Sequence, residues 1–437
     1  MNPSENWTAL RSLRSRNYRL FFTGQSVSLV GTWMTRIATS WLIFRLTDSA
    51  LLLGVASFAG QIPAFFLAPI AGVWVDRWNR HRTLVATQTL SMIQSFALAG
   101  LALSHRINIW WIVFLVLGQG LINAFDMPAR QAFLVEMIEQ RGDLGNAIAL
   151  NSSMVNGARL VGPAIAGVVI AAVGEGYCFL IDGISYIAVI LSLLAMRLER
   201  VPSRRIKKRV VEELVEGWRY VTRSVPIRSI LLLLALVSLI GMPYTVLMPI
   251  MAGNVLHGGA HTLGFLMAAS GVGALTSAIS LALRKTVLGL GKMITISSGM
   301  FGIGLILLGM SRYLWLSMPL MVVTGFGMMQ QMAASNTILQ TIVEDDKRGR
   351  VMSFYALSIL GITPIGSLGA GTFASKFGAP ATLIAGGVCC MAGSLWFLRE
   401  LPEIRRFIRP IYRQLGILPQ VASGLQSAAA LQTPPEG

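Results

Sequence analysis

The sequence predicts an all-α polytopic membrane protein, with twelve transmembrane helices in two six-helix bundles and both termini in the cytoplasm. Three observations carry this prediction: the composition, the spacing of apolar segments and the placement of the basic residues. The 437 residues are 54% hydrophobic and 13% charged, whereas soluble domains carry about 25% charged residues. A chain of this composition has too little polar surface to be a soluble protein.

Twelve apolar segments are long enough to cross a bilayer, which takes about 20 residues. In the first half they cover about 20–44, 50–74, 83–104, 108–128, 145–172 and 177–197. In the second half they cover about 229–251, 261–283, 292–311, 314–336, 351–375 and 378–398. Each segment is therefore predicted to form one membrane-spanning helix.

Lysine and arginine lie almost entirely on one side of these segments. Of the 36 such residues, 30 fall in the N-terminal arm, the even-numbered connections and the tail, 4 in the odd-numbered connections and 2 within segments. Because cytoplasmic connections are rich in Lys and Arg, both termini are predicted to be cytoplasmic in a multi-pass protein of the cell (inner or plasma) membrane. The same asymmetry accounts for the net charge of +17, with the lipid bilayer as a partner and no nucleic acid.

The chain divides into five predicted regions. They are a cytoplasmic arm (1–19), a first six-helix bundle (20–197), a cytoplasmic linker (198–228), a second bundle (229–398) and a cytoplasmic tail (399–437). In the linker, residues 210–221 have helical apolar spacing, so we expect an amphipathic helix at the membrane surface that ties the two bundles together. The small, polar end of the tail, from about 415, is expected to be disordered.

The two bundles share a pattern of small residues. GARLVGPAIAG (157–167) in the fifth segment is echoed by GITPIGSLGAG (361–371) in the eleventh, with small residues at the same offsets. Internal repeats with a binding site at their interface are typical of secondary transporters, and small residues allow membrane helices to approach closely. We therefore expect a duplicated architecture whose halves slide against each other on these faces.

The connection between the second and third segments reads GVWVDRWNRHR (72–82). It resembles the signature G-x-L-A-D-R-x-G-R-R/K of the major facilitator superfamily, with Trp74 for the usual Leu and Asn79 for the usual Gly. Gly72, Asp76, Arg77 and Arg80 match in place, and Arg82 follows. The resemblance implies the major facilitator fold. Asn tolerates a left-handed backbone, so we expect Asn79 to keep the tight turn.

The resemblance also implies a role for this loop. Asp76 and Arg80 would form a charge cluster that holds the cytoplasmic side closed in the outward-facing state. The N-terminus of the eleventh segment, near residues 350–352, would lie beside it as a helix-dipole partner. Asp126 and Arg130, near the cytoplasmic end of the fourth segment, are expected to join this gating cluster.

Further motifs favour export. The antiporter-associated pattern G-x-x-x-G-P-x-x-G-G of the same superfamily is resembled, with alanines for two glycines, by Ala158, Gly162, Pro163 and Gly167. In its fourth segment the family has the pattern R-x-x-Q-G-x-G, and Val116 stands here in place of the arginine. A proton mechanism assigned to that arginine therefore cannot be carried over to this chain. INAFDMPARQAFLVE (122–136) and DKRGRVMSFYAL (346–357) resemble the enterobactin-exporter and macrolide-efflux branch.

Charged residues at membrane depth are candidates for function because burying a charge there is costly. The first bundle holds Arg36, Arg159 and Asp182, whereas the second holds none before the ends of its segments. Arg36 and Asp182 lie at comparable depth and either form a structural ion pair or act separately, Asp182 as the protonatable group and Arg36 as an anion or substrate contact. Arg159 is the better candidate for sensing an anionic substrate.

By resemblance, the first, fourth, seventh and tenth segments line the transport cavity. About half of their polar or aromatic residues are expected to face the lumen. The candidates are Gln25, Trp33, Gln119, Asn123, Tyr244, Thr245, Gln330, Gln331 and Asn336. Nearby methionines at 328, 329 and 332 suggest an adaptable apolar wall.

The favoured function is secondary active transport: proton-coupled efflux of an amphipathic small molecule, such as a siderophore, drug or related metabolite, by alternating access. An uptake symporter or a lysophospholipid flippase of the same superfamily stays open as the alternative. An ATP-driven pump is disfavoured because Gly291-Lys292 lacks the rest of a P-loop, and an enzyme because the four histidines lie in connections. We expect no cofactor and no metal, a monomer, and protons and a small-molecule substrate as partners.

Overall fold

The computed structural model describes residues 10–197, 210–284 and 286–414, and all regular structure in these ranges is helical. The side chains of residues 68–70, 72–73, 76–77, 141, 210–214 and 414 lie outside the described part. The expectations for the first residues of the arm, for 198–209 and for the tail from 415 likewise fall on residues that the structure does not describe.

The first half consists of six long helices that run up and down. After a short 3₁₀ turn at Arg11–Arg14 they are α1 (Arg16–Thr47), α2 (Ala50–Arg77), α3 (Arg80–Leu103), α4 (Ile109–Glu136), α5 (Leu144–Val173) and α6 (Glu175–Leu194). Each of the first six apolar segments lies largely within one of these helices.

The second half repeats this pattern with interrupted helices. It follows the linker helix α7 (Val210–Arg223) and comprises α8 (Val225–Leu236), α9 (Tyr244–Ile250), α10 (Ala260–Ala282), α11 (Leu290–Met310), α12 (Leu314–Ile342), α13 (Asp345–Ala356), α14 (Thr363–Phe377) and α15 (Ala379–Gln414). Single π-helical turns at Val237–Gly241 and Met251–Val255 flank α9, and one at Leu357–Gly361 joins α13 to α14. Such turns occur often at functional sites.

In the described ranges, ten helical segments are long and apolar enough to cross a membrane. Two more helices, α1 with 32 residues and α12 with 29, have the length but not the apolar composition. At about 1.5 Å per residue both exceed the roughly 30 Å of a hydrocarbon core. Arginines in α1 and the pair Gln330–Gln331 in α12 lower their hydropathy.

Each half is a helical bundle with its own packing. In the first half α1 packs on α5 and α6, α3 on α4 and α6, and α2 on α4. In the second half α11 packs on α12 and α15, and α10 on α12. Two helix pairs carry most of the contact between the halves: α5 with α10, and α2 with α14.

Glycines allow these two pairs to approach closely. A Cβ atom added at Gly264 on α10 would lie 2.8 Å from the Cα of Gly167 on α5. At the other pair, a Cβ atom added at Gly371 on α14 would lie 3.0 Å from the Cα of Gly54 on α2. Both distances are shorter than the 3.5–4.0 Å of good carbon contacts, so the backbones themselves form the interface.

The repeated small-residue pattern has repeated neighbours. Gly162 on α5 faces Trp33 and Val30 of α1, the first helix of its half, and Gly167 faces α10. At the matching offsets, Gly366 faces Leu239 in the first span of the second half, and Gly371 faces α2. The same offset therefore serves the same packing role in each half, which supports the predicted duplication.

A left-handed glycine also recurs at matching places. Gly174 (φ +93°) connects α5 to α6, and Gly378 (φ +85°) connects α14 to α15. Each is the single residue between two antiparallel helices, and only glycine adopts such a φ without strain. The two turns set the same geometry in both halves.

The halves touch at one end of the bundle. We call the end that holds Arg80, Arg130 and Arg350 the basic end. At the opposite end, the amide Nδ2 of Asn254 donates to Asp48 Oδ1 across the halves at 2.8 Å. From there the contact between α5 and α10 extends toward the basic end as far as Gly271, where an added Cβ atom would lie 2.9 Å from the Leu160 Cα.

Candidate functional site

Two arginines from neighbouring helices approach one indole ring inside the first half. The guanidinium carbon of Arg36 on α1 lies 4.9 Å from the centroid of the Trp33 ring. The guanidinium carbon of Arg159 on α5 lies 5.8 Å from the same ring. Both distances are within the range of cation–π attraction. Arg36 is exposed and Arg159 is half-buried, so the cluster borders on accessible space.

The small residues of α5 position this cluster. A Cβ atom added at Gly162 would lie 2.5 Å from the Cβ of Trp33, so only glycine lets α1 lie so close to α5. Arg159 precedes Gly162 by three residues, about one helical turn, which carries its guanidinium to the Trp33 ring. The other antiporter-like residues also pack: Ala158 is buried, and the Pro163 carbonyl and Gly167 face Gly264 on α10.

Asp182 on α6 lies beside the cluster but does not join it. Its side chain is 1% exposed. The hydroxyls of Thr35 and Ser95 both donate to its Oδ2, at 2.8 Å and 2.9 Å. Its Oδ1 has no hydrogen-bond partner in the part of the chain that the structure describes. Asp182 is therefore held by two hydroxyl groups from α1 and α3.

The structural ion pair between Arg36 and Asp182, one of the two alternatives that the sequence left open, is not present among the described residues. Among the ion pairs between described residues, none contains Arg36, Arg159 or Asp182. The Asp182 carboxylate instead accepts a hydrogen bond from Thr35, the residue next to Arg36. Arg36, Arg159 and Asp182 thus lie within the first half without forming ion pairs with one another.

The predicted cavity residues of the first half differ in exposure. Gln119 and Asn123 on α4 are half-buried, and the Gln119 amide Nε2 donates to Asn123 Oδ1 and to Ser91 Oγ, both at 3.1 Å. Gln25 on α1 is only 3% exposed. The structure therefore places Gln25 in helix packing and leaves the other two amides partly accessible.

In the second half most predicted cavity residues are buried between helices. The Tyr244 hydroxyl lies 2.8 Å from Ser270 Oγ, and Gln330 Oε1 accepts from Ser277 Oγ at 2.6 Å. Gln331 is 0% exposed, and neither polar atom of its amide has a partner among the described residues. Asn336 is half-buried and accepts from the side chain of Gln340 at 2.8 Å.

At the basic end, α3 and α4 share a network of charges. Asp126 on α4 accepts from Thr87 Oγ1 at 2.8 Å and from Gln88 Nε2 at 2.7 Å, and it forms an ion pair with Arg130. Arg80 on α3 forms an ion pair with Glu136 on α4 at 2.6 Å. The hydrogen bonds of Asp126 and the Arg80–Glu136 ion pair thus all connect α3 to α4.

The side chains of Gly72, Asp76 and Arg77 lie outside the described residues. The backbone after them corrects one expectation. Asn79 is extended, with φ −72° and ψ 109°, and its side chain accepts from the Arg82 backbone N–H. The prediction of a left-handed Asn79 was therefore wrong: the residue caps the N-terminus of α3, a position where Asn is among the preferred residues.

The eleventh segment and the linker helix meet at the same end. Glu216 on α7 forms an ion pair with Arg350 on α13 at 2.8 Å, and Lys347 Nζ lies 5.0 Å from the ring centroid of Tyr220. Burial raises the pKa of Tyr220, and the nearby Glu344 carboxylate adds to this. These contacts of α7 are with the second half, whereas the sequence led us to expect a tie between the halves.

Several partners in these clusters were not anticipated. Thr35 and Ser95 are ordinary hydroxyl residues in apolar segments, and no local pattern marks them as ligands of a carboxylate. Glu136 ends the sequence motif at 122–136, and nothing in that motif marks it as the partner of Arg80. Across the described ranges, no three His, Cys, Asp or Glu side chains gather in a way that could hold a metal ion.

Comparisons with known proteins cover nearly the whole chain. The model of a family described as "Transmembrane secretion effector" matches residues 7–408. The staphyloferrin A transporter of Staphylococcus aureus is 27% identical over 89% of this chain and 97% of its own length. The multidrug efflux pump Tap of Mycolicibacterium fortuitum is 26% identical over 81% of this chain and 88% of its own length.

A solved structure with the same architecture is that of the nucleoside transporter NupG. It superposes with a TM-score of 0.67 over 89% of this chain and 99% of that chain, at 13% sequence identity. At this identity the likeness shows the fold alone: two helical halves arranged as in this transporter.

Proposed function

The chain belongs to the transmembrane secretion effector family, a branch of the major facilitator superfamily, and from this premise we propose that it exports an amphipathic small molecule in exchange for protons. As a family member it is a multi-pass transporter of the cell membrane. The direction of transport rests on the efflux-type relatives, of which Tap carries the term efflux in its name. The cargo is a siderophore, drug or related metabolite.

In this proposal the basic end faces the cytoplasm and twelve helices cross the membrane. The 30 to 4 distribution of Lys and Arg supports that orientation. The ten apolar helical segments, together with α1 and α12, account for the twelve crossings. Six crossings per half bring both termini to the cytoplasmic side.

Transport proceeds by alternating access. The halves are in contact at the opposite end, through the glycine pairs and the Asp48–Asn254 hydrogen bond, and we propose that this conformation is the one that admits substrate from the cytoplasm. Rocking of one half against the other opens the opposite end. In that outward-facing state Asp76 and Arg80, with Asp126 and Arg130 behind them, hold the cytoplasmic side closed.

Asp182 carries the proton. It lies where three helices of the first half meet, with one oxygen bound by two hydroxyls and the other without a described partner. A proton can therefore bind there without breaking an ion pair. Protonating Asp126, by contrast, would break its pairing with Arg130. The carboxyl of Asp182 is thus the better proton carrier of the two.

Everted membrane vesicles test this function. An imposed proton gradient, acid inside, is expected to drive uptake of a lipophilic dye or a siderophore, and Asp182→Asn should abolish the dependence of uptake on the gradient. Glu403→Gln, an exposed acid on α15, serves as the matched control and should behave like the wild type. Equal uptake with and without a gradient would refute proton coupling.

The same vesicles separate the alternative functions. An uptake symporter would release the substrate from everted vesicles along with protons instead of accumulating it. A lysophospholipid flippase would move a labelled lysophospholipid and respond to neither the dye nor the siderophore. Either outcome would replace the proposed export of a small molecule.

A further inference from the structure

We propose that Arg36, Arg159 and Trp33 form a binding subsite for an oxyanion, so that the exported molecule carries a carboxylate or phosphate group next to a planar or apolar part. This inference rests on the proposed transport function and names the class of its cargo. It starts from the two guanidiniums that approach one indole ring at 4.9 Å and 5.8 Å.

The subsite lacks an anion of its own. No described ion pair includes either arginine. Asp182, the acid on the neighbouring helix α6, has its Oδ2 bound by Thr35 and Ser95. The second half offers no compensation, because its Asp and Glu residues lie only near or beyond the ends of its apolar segments.

Two unneutralised cations at membrane depth are costly. They repel each other, and the partial burial of Arg159 makes this repulsion stronger than it would be in bulk water. A chain retains such an arrangement at a price in stability, and charged residues in spans typically mark substrate pathways. An incoming anion would relieve the repulsion between Arg36 and Arg159, so the free energy of that relief would contribute to its binding.

The two guanidiniums suit an oxyanion better than they suit a halide or a cation. A guanidinium presents a planar fork of N–H donors that matches a carboxylate or phosphate with two parallel hydrogen bonds. Exposure of Arg36 and partial exposure of Arg159 leave these donors accessible. The Trp33 ring, which both guanidiniums approach, offers an apolar surface for the rest of the molecule, which accounts for an amphipathic cargo.

Binding of three matched probes to the purified transporter tests the subsite. The probes are 1-naphthylacetate, 1-naphthyl phosphate and the neutral 1-naphthylacetamide, measured by calorimetry in detergent. At least one of the two anions should bind about tenfold or more tightly than the amide, since a hydrogen bond to a charged group contributes about that factor or more. The tighter anion identifies carboxylate or phosphate as the group in the cargo.

Variants assign the effect to the residues. Arg36→Gln and Arg159→Gln should each weaken anion binding about tenfold to a hundredfold and leave amide binding within about twofold. Arg106→Gln, in an exposed connection, is the control and should change neither. Should a glutamine variant fail to fold, the corresponding Arg→Lys variant keeps the charge but loses the fork, and it should weaken anion binding by a smaller factor.

Two results would overturn the subsite: equal binding of the anions and the amide by the wild type, or unchanged anion binding in both arginine variants. The outcome is separable from that of the proposed function. If an anion binds as expected but no vesicle assay shows proton-driven export, the export proposal fails and the subsite stands. If a dye is exported but no anion binds, the subsite fails and export stands.

Discussion

Replacing Gly264 by alanine should push the two halves apart at the opposite end. The new Cβ would lie 2.7 Å from the Pro163 carbonyl oxygen and 2.8 Å from the Gly167 Cα. Both atoms belong to the α5 backbone and cannot move aside as a flexible side chain would. The contacts fall about 0.7 Å or more short of normal carbon separations, so α10 must move away from α5.

Overpacking of this kind costs about 1–3 kcal/mol. That cost applies only to the conformation in which α5 and α10 touch, whereas the gain in helix propensity from alanine is the same in both conformations. The ratio of open to closed molecules at the opposite end should therefore rise about 5- to 160-fold. A transporter that alternates between these states will then be biased toward the outward-facing one.

Labelling of a buried cysteine measures this shift. Ala50, 6% exposed, packs against Gly371 at the other interface between the halves. Ala50→Cys can be placed in a background in which Cys178, Cys389 and Cys390 are alanine. In purified protein, Gly264→Ala should then speed reaction with a water-soluble maleimide about 5- to 160-fold, because the site is exposed only when the halves separate.

The control uses a glycine with room beside it. A Cβ atom added at Gly118 on α4 would meet nothing within 4 Å, so Gly118→Ala should leave the labelling rate within about twofold. If Gly264→Ala and Gly118→Ala label at the same rate, the α5–α10 glycine contact is not what closes this end, and the reasoning fails.

Three further predictions concern the basic end. Asp76→Asn should slow dye export at least about tenfold with normal membrane insertion; near-normal export would remove the gating role of this loop. Arg80→Glu should reduce export, and adding Glu136→Arg should restore part of it, as the ion pair of the two residues requires; a double variant no better than the single one would contradict this. Asn79→Ala should cost the start of α3 about 0.5–2 kcal/mol, seen as faster amide exchange at Arg82, and an unchanged exchange rate would deny the cap.

The apolar segments and the duplicated pattern could be predicted because they depend on composition and offset alone. The positions of Gly162, Gly167, Gly366 and Gly371 are a direct consequence of where backbones must touch, and this is visible in the sequence as a repeat of small residues. For ten helical segments of the described ranges, the capacity to cross a membrane follows in the same way from length and hydropathy, whereas α1 and α12 have only the length.

Which face of a helix a polar residue occupies could not be predicted. Gln25, Tyr244 and Gln330 are polar or aromatic in lining segments, yet they are buried against other helices. A polar group in a membrane helix can bond to a neighbouring helix as well as to a cavity, and one sequence does not distinguish the two. Asn79 is a similar case, since Asn suits both a left-handed turn and a helix cap.

The partners of the charged residues depend on tertiary contact. Asp182 could have paired with Arg36, because both lie at similar depth. In the structure its carboxylate instead accepts hydrogen bonds from Thr35 and Ser95. These residues lie on α1 and α3, and the sequence alone does not show which helices are neighbours. The ion pair between Arg80 and Glu136 spans 56 residues in the chain, beyond the reach of any local motif.

The exchange of substrate for protons is tested most directly in proteoliposomes in which every transporter has the same orientation. Substrate flux and internal pH are recorded together while substrate is offered on the side of the basic end. Substrate should leave the side of the basic end while protons move toward that side, and Asp182→Asn should uncouple the two movements. Substrate and protons moving in the same direction, or substrate moving with no change in pH, would contradict this exchange.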